Sequence, residues 1–509
     1  MVVKILILVI FFAVMILVGV NAKKKVNGVD DFVLGGRKIG PWMAAFSFGT
    51  SYFSAVIFVG YAGQFGWKFG IASTWIGLGN ALIGSMLAWV ILGRRTRVMT
   101  NHLSSSTMPD FFGKRYDSKA IKIAASAIAF VFLIPYTASV YNGLSKLFAL
   151  AFDIPYAAVV IGMAVLTGIY VILGGYMASS MNDFIQGMIM LIGIIAVIAS
   201  VLAGQGGFTE AIKSLANVQS AETVEQPGVF ASFFGPDPFG LLSVVVLTSL
   251  GTWGLPQMVQ KFYAIKDEKA IKTGTIVSTF FAIVIGGGSY FMGGFGRLFG
   301  AAEDFTVDGK MAYDGIVPAM LQNSLSDILI GVVVVLVLSA SMSTLSALVL
   351  TSSSTLTLDL LKGNIIKDMN QKKQLLIMRI MIVFFVAVSV IIALDPPTAI
   401  AQLMGISWGA LAGSFLAPFL YGLYWKKVTR PAVWVSFLSG VGITVASLFI
   451  DSLSPIVAGA AAMIAGLIIV PIVSAVTKNP QKDVNRVDNI FECYNVNITV
   501  KKSRQLSSD

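Results

Sequence analysis

The chain of 509 residues is 56% hydrophobic and 12% charged, with a mean hydropathy of +0.83, where a soluble domain carries about 25% charged residues. That balance excludes a soluble globular protein and predicts an all-α integral membrane protein. The net charge of +11 would suit a nucleic-acid binder, yet 30 of the 36 Lys and Arg fall in alternate connections between apolar runs. The charge therefore reports topology, and nucleic acid is excluded as a partner.

Thirteen apolar runs follow one another, at 2–20, 41–63, 72–93, 122–149, 156–175, 181–204, 230–257, 273–300, 326–361, 374–394, 398–424, 430–449 and 453–475. Most have about the ~20 residues that cross ~30 Å of hydrocarbon as helix. The basic connections are 21–40, 93–122, 258–272, 362–379, 425–430 and 476–509, which the positive-inside rule assigns to the cytoplasm. A multi-pass plasma-membrane protein in a lipid bilayer is expected, with its N-terminus outside and its C-terminus cytoplasmic. The first run is followed directly by Lys23-Lys24-Lys25 and is predicted as a retained helix rather than a signal peptide.

The second run is interrupted by Phe46-Ser47-Phe48-Gly49-Thr50-Ser51-Tyr52-Phe53-Ser54, and the seventh by Thr248-Ser249-Leu250-Gly251-Thr252-Trp253-Gly254-Leu255-Pro256. A break at membrane depth is tolerated only where protein or a water-filled cavity satisfies the backbone. Two breaks at corresponding places in two halves point to a binding site near the bilayer midplane. Runs 2–6 and 7–11 then form two five-helix units of opposite orientation, each opening with its broken helix. In the first break, carbonyls and the hydroxyls of Ser47, Thr50, Ser51 and Ser54 are hard oxygen ligands suited to an alkali cation. Close helix packing through small residues accounts for the same composition.

Asp183 is the acid nearest to lying inside a span. It is either a functional intramembrane carboxylate or the cap of the sixth helix. In the ninth run, Ala340, Ser343 and Thr344 stand at i, i+3 and i+4, on one helix face beside Ser346. The cluster 351–355 reads as packing or as a water-facing surface. Tyr52, Tyr136, Trp253 and Trp408 are candidate walls of a solute pocket, with Ser51, Ser54, Thr137, Thr252 and Gly254 beside them. Loops 205–229 and 301–325 suit short amphipathic helices at the membrane surface. One polytopic domain, 1–475, precedes a polar tail, 476–509, which has too few apolar residues for a core and is expected to be disordered. HExxH and Walker A motifs are absent, and single residues Cys493 and His102 cannot build a Cys/His metal site. An enzyme is therefore not expected, and an ion gradient is the remaining source of drive for transport.

At several of these motifs the chain resembles the sodium:solute symporter family, in particular its sodium/proline and sodium/pantothenate members. The matching stretches are Asp30-Asp31-Phe32-Val33-Leu34-Gly35-Gly36-Arg37, Asn182-Asp183-Phe184-Ile185-Gln186-Gly187, Gly254-Leu255-Pro256-Gln257 with Lys266-Asp267, and Ala340-Ser341-Met342-Ser343-Thr344-Leu345-Ser346. The resemblance implies a leucine-transporter-type inverted repeat that imports a small organic solute with sodium by alternating access. It implies a sodium ion held by the carbonyls of Thr50, Phe53 and Ala340 and the hydroxyls of Ser343 and Thr344. A further ion or proton site is implied at Asp183 and Ser346, although Ala347 stands where a two-sodium member has a hydroxyl. Tyr52 replaces an acid of proline carriers, and Thr248 and Thr252 replace aromatic residues. A small carboxylate-bearing solute (an amino acid such as proline, pantothenate or a monocarboxylate) fits better than a sugar. The rival readings are a proton-coupled carrier with Asp183 as relay and a membrane solute sensor.

Overall fold

The computed structural model describes residues 2–494 except 24, 25, 27, 153, 308, 398, 451, 479 and 480. The expected tail beyond 494, with its Asn497-Ile498-Thr499 sequon, lies outside the described residues. The thirteen apolar runs all fall on helices, though not one run to one helix. Among the described residues eight helices are long and apolar enough to cross a membrane, or nine when the bent pair Pro238–Gly254 and Pro256–Tyr263 is taken as one.

Two of the eight exceed a single crossing. Val56–His102 has 47 residues and Tyr156–Gly204 has 49, which at ~1.5 Å per residue is about 70 Å each. Each is broken at a glycine, Gly70 (φ 61°, ψ −141°) and Gly175 (φ 53°, ψ −142°). A Cβ would stand 2.1 Å from the Phe230 carbonyl oxygen at Gly70, and 2.6 Å from that of Phe32 at Gly175. Only glycine meets both the dihedral and the close approach.

Burial divides the helices into an enclosed centre and a lipid-facing periphery. In their most apolar stretches Ile400–Tyr424 is 89% buried and Ile328–Leu361 78%, whereas Gln371–Leu394 is 28% buried. The helix Asp327–Thr355 packs along Tyr156–Gly204 and Lys119–Phe152, which brings its hydroxyl-rich face against the first broken helix. Tyr156–Gly204 in turn approaches the first broken helix at a small residue: a Cβ at Gly187 would lie 2.3 Å from the Phe46 ring.

The breaks are shorter than the sequence pattern predicts. Pro41–Tyr52 is helical to its end, and only Phe53 (φ −105°, ψ 97°) and Ser54 leave the helix before the π-helical turn Val56–Tyr61. The Ser54 hydroxyl accepts from Val56 N at 3.2 Å and so caps the second half. In the other unit Thr248–Gly254 is helical and the break narrows to extended Leu255, where the two halves meet at 46°. Pro256 starts the second half because a first-turn residue needs no N–H partner. This half runs to Tyr263, so residues 258–263 are helix rather than the loop expected from their charge.

Phe208–Ala216 lies over the body through Ala211 and Leu215, as an amphipathic surface helix should. The tail departs from its expected disorder, since Gln481–Phe491 is helical and docked. Three of its four apolar residues, Val487, Ile490 and Phe491, recur at i, i+3 and i+4 and are buried, while Val484 is exposed. Asp483 pairs with Arg430 at 3.0 Å, Asp488 with Lys426 at 2.7 Å, and Arg486 donates to the carbonyls of Lys114 (2.9 Å) and Arg115 (3.1 Å). Tyr494 donates to Arg95 O at 3.1 Å.

Burial pushes the neighbouring Cys493 thiol up to about 12, against an opposing pull from Arg95 and Arg94. At neutral pH it is protonated and poorly nucleophilic. Phe491→Ala, which removes the anchor, is expected to release the tail, return the thiol towards its ordinary pKa and accelerate alkylation by iodoacetamide. Equal rates in the two proteins would show that the docked helix does not protect it.

Candidate ion and solute site

The end of Pro41–Tyr52 and the middle of Asp327–Thr355 meet in a cluster of oxygens with no exposed surface. Ser343 donates to Thr50 Oγ1 at 2.6 Å, and Thr50 Oγ1 donates to Phe46 O at 2.8 Å. The Thr344 hydroxyl stands 3.1 Å from Ala340 O and 3.3 Å from both Thr50 O and Ser51 O. One hydroxyl proton faces three carbonyl oxygens, so the cluster holds more acceptors than donors. Such a set of neutral hard oxygens matches the ligand chemistry of an alkali cation. Of the five ion ligands expected, four meet here. Phe53 lies beside Ala340, in the wall of a small internal cavity that also includes Ser54 and Leu336. Ser51 contributes its carbonyl, a role unseen in the sequence, where its hydroxyl drew attention. Among the described residues no cluster of His, Cys, Asp or Glu offers an alternative metal site.

Asp183 is not a helix cap. It lies well past the Gly175 break, inside Tyr156–Gly204 and fully buried, and its Oδ2 accepts from the Ser47 hydroxyl. Lys261 donates to the same Ser47 oxygen at 2.8 Å and stands 3.7 Å from Asp183 Oδ2. Sequence reasoning missed this lysine by counting it with a basic loop. The signal was its flanks, because Met258, Val259, Phe262 and Tyr263 make it a lone charge in an apolar helix. Ser346 bonds Ser343 O at 2.8 Å and Ser179 Oγ at 2.7 Å, one turn from the ion cluster.

The predicted solute residues separate into two groups. Five use their polar atoms within the protein. Tyr52 donates to Thr248 O (2.7 Å), Thr252 to Gly84 O (2.8 Å), Trp253 to Ile83 O (3.0 Å) and Thr137 to Leu133 O (2.9 Å), while Ser54 caps its helix. Gly254 is a contact point for backbone, since a Cβ there would lie 2.8 Å from Ala412 Cα. The other three, Ser51 Oγ, Tyr136 OH and Trp408 Nε1, are buried and make no well-formed hydrogen bond among the described residues, the Trp408 indole facing only the Tyr136 hydroxyl. Tyr52 stacks on Trp408 at 6.2 Å, and Tyr136 meets Trp408 edge-on at 5.8 Å. Tyr136 OH and Trp408 Nε1 sit on one aromatic cluster beside Tyr52, whose chain neighbour is Ser51, and donors of this kind suit a ligand rich in acceptors. Gln257, also buried with a free amide, joins them just past the second break and was not foreseen.

Two helices broken around a buried polar centre define a membrane transporter rather than an enzyme. The structure resembles that of a Na+-coupled sialic acid symporter (TM-score 0.76, 16% identity, covering 93% of this chain and 98% of the other). It also resembles MhsT in complex with L-phenylalanine (TM-score 0.54, 14% identity, 86% and 99% covered). The fold is therefore the leucine-transporter-type inverted repeat. Residues 32–440 match the sodium:solute symporter family, and the chain belongs to that family. Similar relatives are the osmoregulated proline transporter OpuE of Bacillus subtilis, 28% identical over 95% of this chain and 96% of its own, and the sodium/proline symporter of Haemophilus influenzae, 29% identical over 84% of each.

The Trp408 ring rests on Gly251, where a Cβ would come within 2.3 Å of it. Gly251→Ala is expected to lose roughly 1–3 kcal/mol by overpacking. Trp408→Phe, which shortens the ring, should recover part of that loss in a double-mutant thermal denaturation cycle. Additive effects would separate the two positions.

Proposed function

We propose that this protein imports a small carboxylate-bearing organic solute together with sodium. The observation that carries the sodium assignment is the acceptor-rich cluster of Thr50, Ser51, Ala340, Ser343 and Thr344, with Phe53 at the adjoining break as a further carbonyl donor. Sodium bound there ties the first broken helix to Asp327–Thr355. By linkage, an ion that stabilises the solute-binding arrangement raises solute affinity, and the solute raises ion affinity equally.

The solute class follows from the three free donors. A carboxylate offers acceptors to Ser51 Oγ, Tyr136 OH and Trp408 Nε1 and leaves an apolar body against the rings of Tyr52 and Trp408. Two of the relatives are named as proline transporters, and proline, a compact carboxylate with an aliphatic ring, agrees with that lining. Because Tyr52 is engaged with Thr248 O, its role in the pocket is as an apolar wall.

Uptake of labelled L-proline and of other small carboxylates into proteoliposomes tests this reading. An inward sodium gradient should drive accumulation, and a proton gradient alone should not, which separates the reading from a proton-coupled carrier. Losing one oxygen ligand of a sodium ion is comparable to losing a hydrogen bond to a charged group, roughly 1.5–3 kcal/mol. Ser343→Ala and Thr344→Ala should accordingly raise the half-saturating sodium roughly tenfold or more, as that energy implies. Tyr136→Phe should instead weaken the solute at saturating sodium. Unchanged sodium dependence in both hydroxyl variants would remove the ion assignment.

A further inference from the structure

Lys261 and Asp183 are both fully withdrawn from solvent, with side-chain exposures of 2% and 0%. The lysine ammonium stands 2.8 Å from Ser47 Oγ, 3.7 Å from Asp183 Oδ2 and 5.2 Å from the centre of the Tyr176 ring. Ser47 donates its own proton to Asp183 Oδ2 and receives one from Lys261, so a single hydroxyl relays the ammonium to the carboxylate. The three groups come from three different segments: the first broken helix, Tyr156–Gly204, and the half-helix that follows the second break. An ionised carboxylate at this depth needs a cation, because an unpaired buried charge is strongly unfavourable.

Two features weigh against a mobile ion at Asp183. The pair is already neutral, so an added sodium would leave a net positive charge in a medium of low dielectric. The Ser346 hydroxyl is also committed, since it bonds Ser343 O and Ser179 Oγ, and Ala347 supplies no side-chain oxygen. Asp183 Oδ1, by contrast, has no hydrogen-bond partner among the described residues, and would be open to a cation if the ammonium were removed.

We propose that the Lys261 ammonium is the resident cation of Asp183: it stands in place of a second sodium and sets the stoichiometry at one sodium per chain. This rests on the sodium-symport reading above. Lys261 is then a specificity-determining residue that touches neither the transported ion nor the solute. Its removal should convert Asp183 into a second sodium site.

The test counts sodium directly and needs no identified solute. Bound radioactive sodium is measured by equilibrium dialysis on the purified full-length protein. Thermal stability is followed against sodium chloride, with choline chloride holding ionic strength constant. Wild type and Lys261→Arg should bind one sodium with a hyperbolic dependence. Lys261→Met should bind two with a sigmoidal one, so that halving a low sodium concentration quarters rather than halves the doubly loaded fraction. The double variant Asp183→Asn/Lys261→Met, which has neither charge, should return to one. Two sodium ions on wild type would overturn the proposal, as would one sodium on Lys261→Met or a second on the double variant. No sodium on wild type would overturn the symport reading itself.

Discussion

At membrane depth a backbone carbonyl that leaves its helix has no water to turn to, and the organisation of this protein follows from how two such interruptions are satisfied. At the first, the carbonyls of Thr50 and Ser51 turn to the Thr344 hydroxyl. At the second, Pro256 brings no N–H, and Trp253, three residues earlier, donates to Ile83 O and ties this segment to a neighbouring helix. Each break is thus held by a different helix. The polar centre they create is shielded by Tyr52, Phe53 and Trp408, which is why hydrogen bonds that are modest in water become decisive there.

This arrangement requires backbones to come close, and the close points carry glycine. Gly187 admits Phe46 and Gly251 admits Trp408. The result divides polar side chains between two tasks. Tyr52, Thr252 and Trp253 join the broken helices to each other and to Val56–His102, while Ser51, Tyr136 and Trp408 keep free donors. The same segment therefore both builds the site and leaves part of it available.

Much of this was legible in the sequence. Hydropathy reveals helices because lipid enforces long apolar runs, and the breaks stood out because Gly, Ser and Thr interrupt those runs. The i, i+3, i+4 spacing of Ala340, Ser343 and Thr344 put all three on the helix face that meets Thr50. What could not be read was allocation: nothing in a linear pattern distinguishes the hydroxyl of Thr252, already bonded, from that of Tyr136, still free. Lys261 escaped because charge was counted by loop, although only tertiary packing decides whether a lysine at a helix end faces solvent or a buried acid. The tail escaped because its sparse apolar residues are too few for a core of their own, yet three of them suffice to dock on one that exists.

That docked tail has a consequence for how the chain is made. Arg486 reaches a carbonyl 372 residues earlier and Tyr494 one 399 residues earlier, so these contacts close only when nearly the whole protein has left the ribosome. Until then Arg95 and the carbonyls of Lys114 and Arg115 lack their final partners. The docked helix thereby covers this patch late: a chain cut before residue 481 would leave it open.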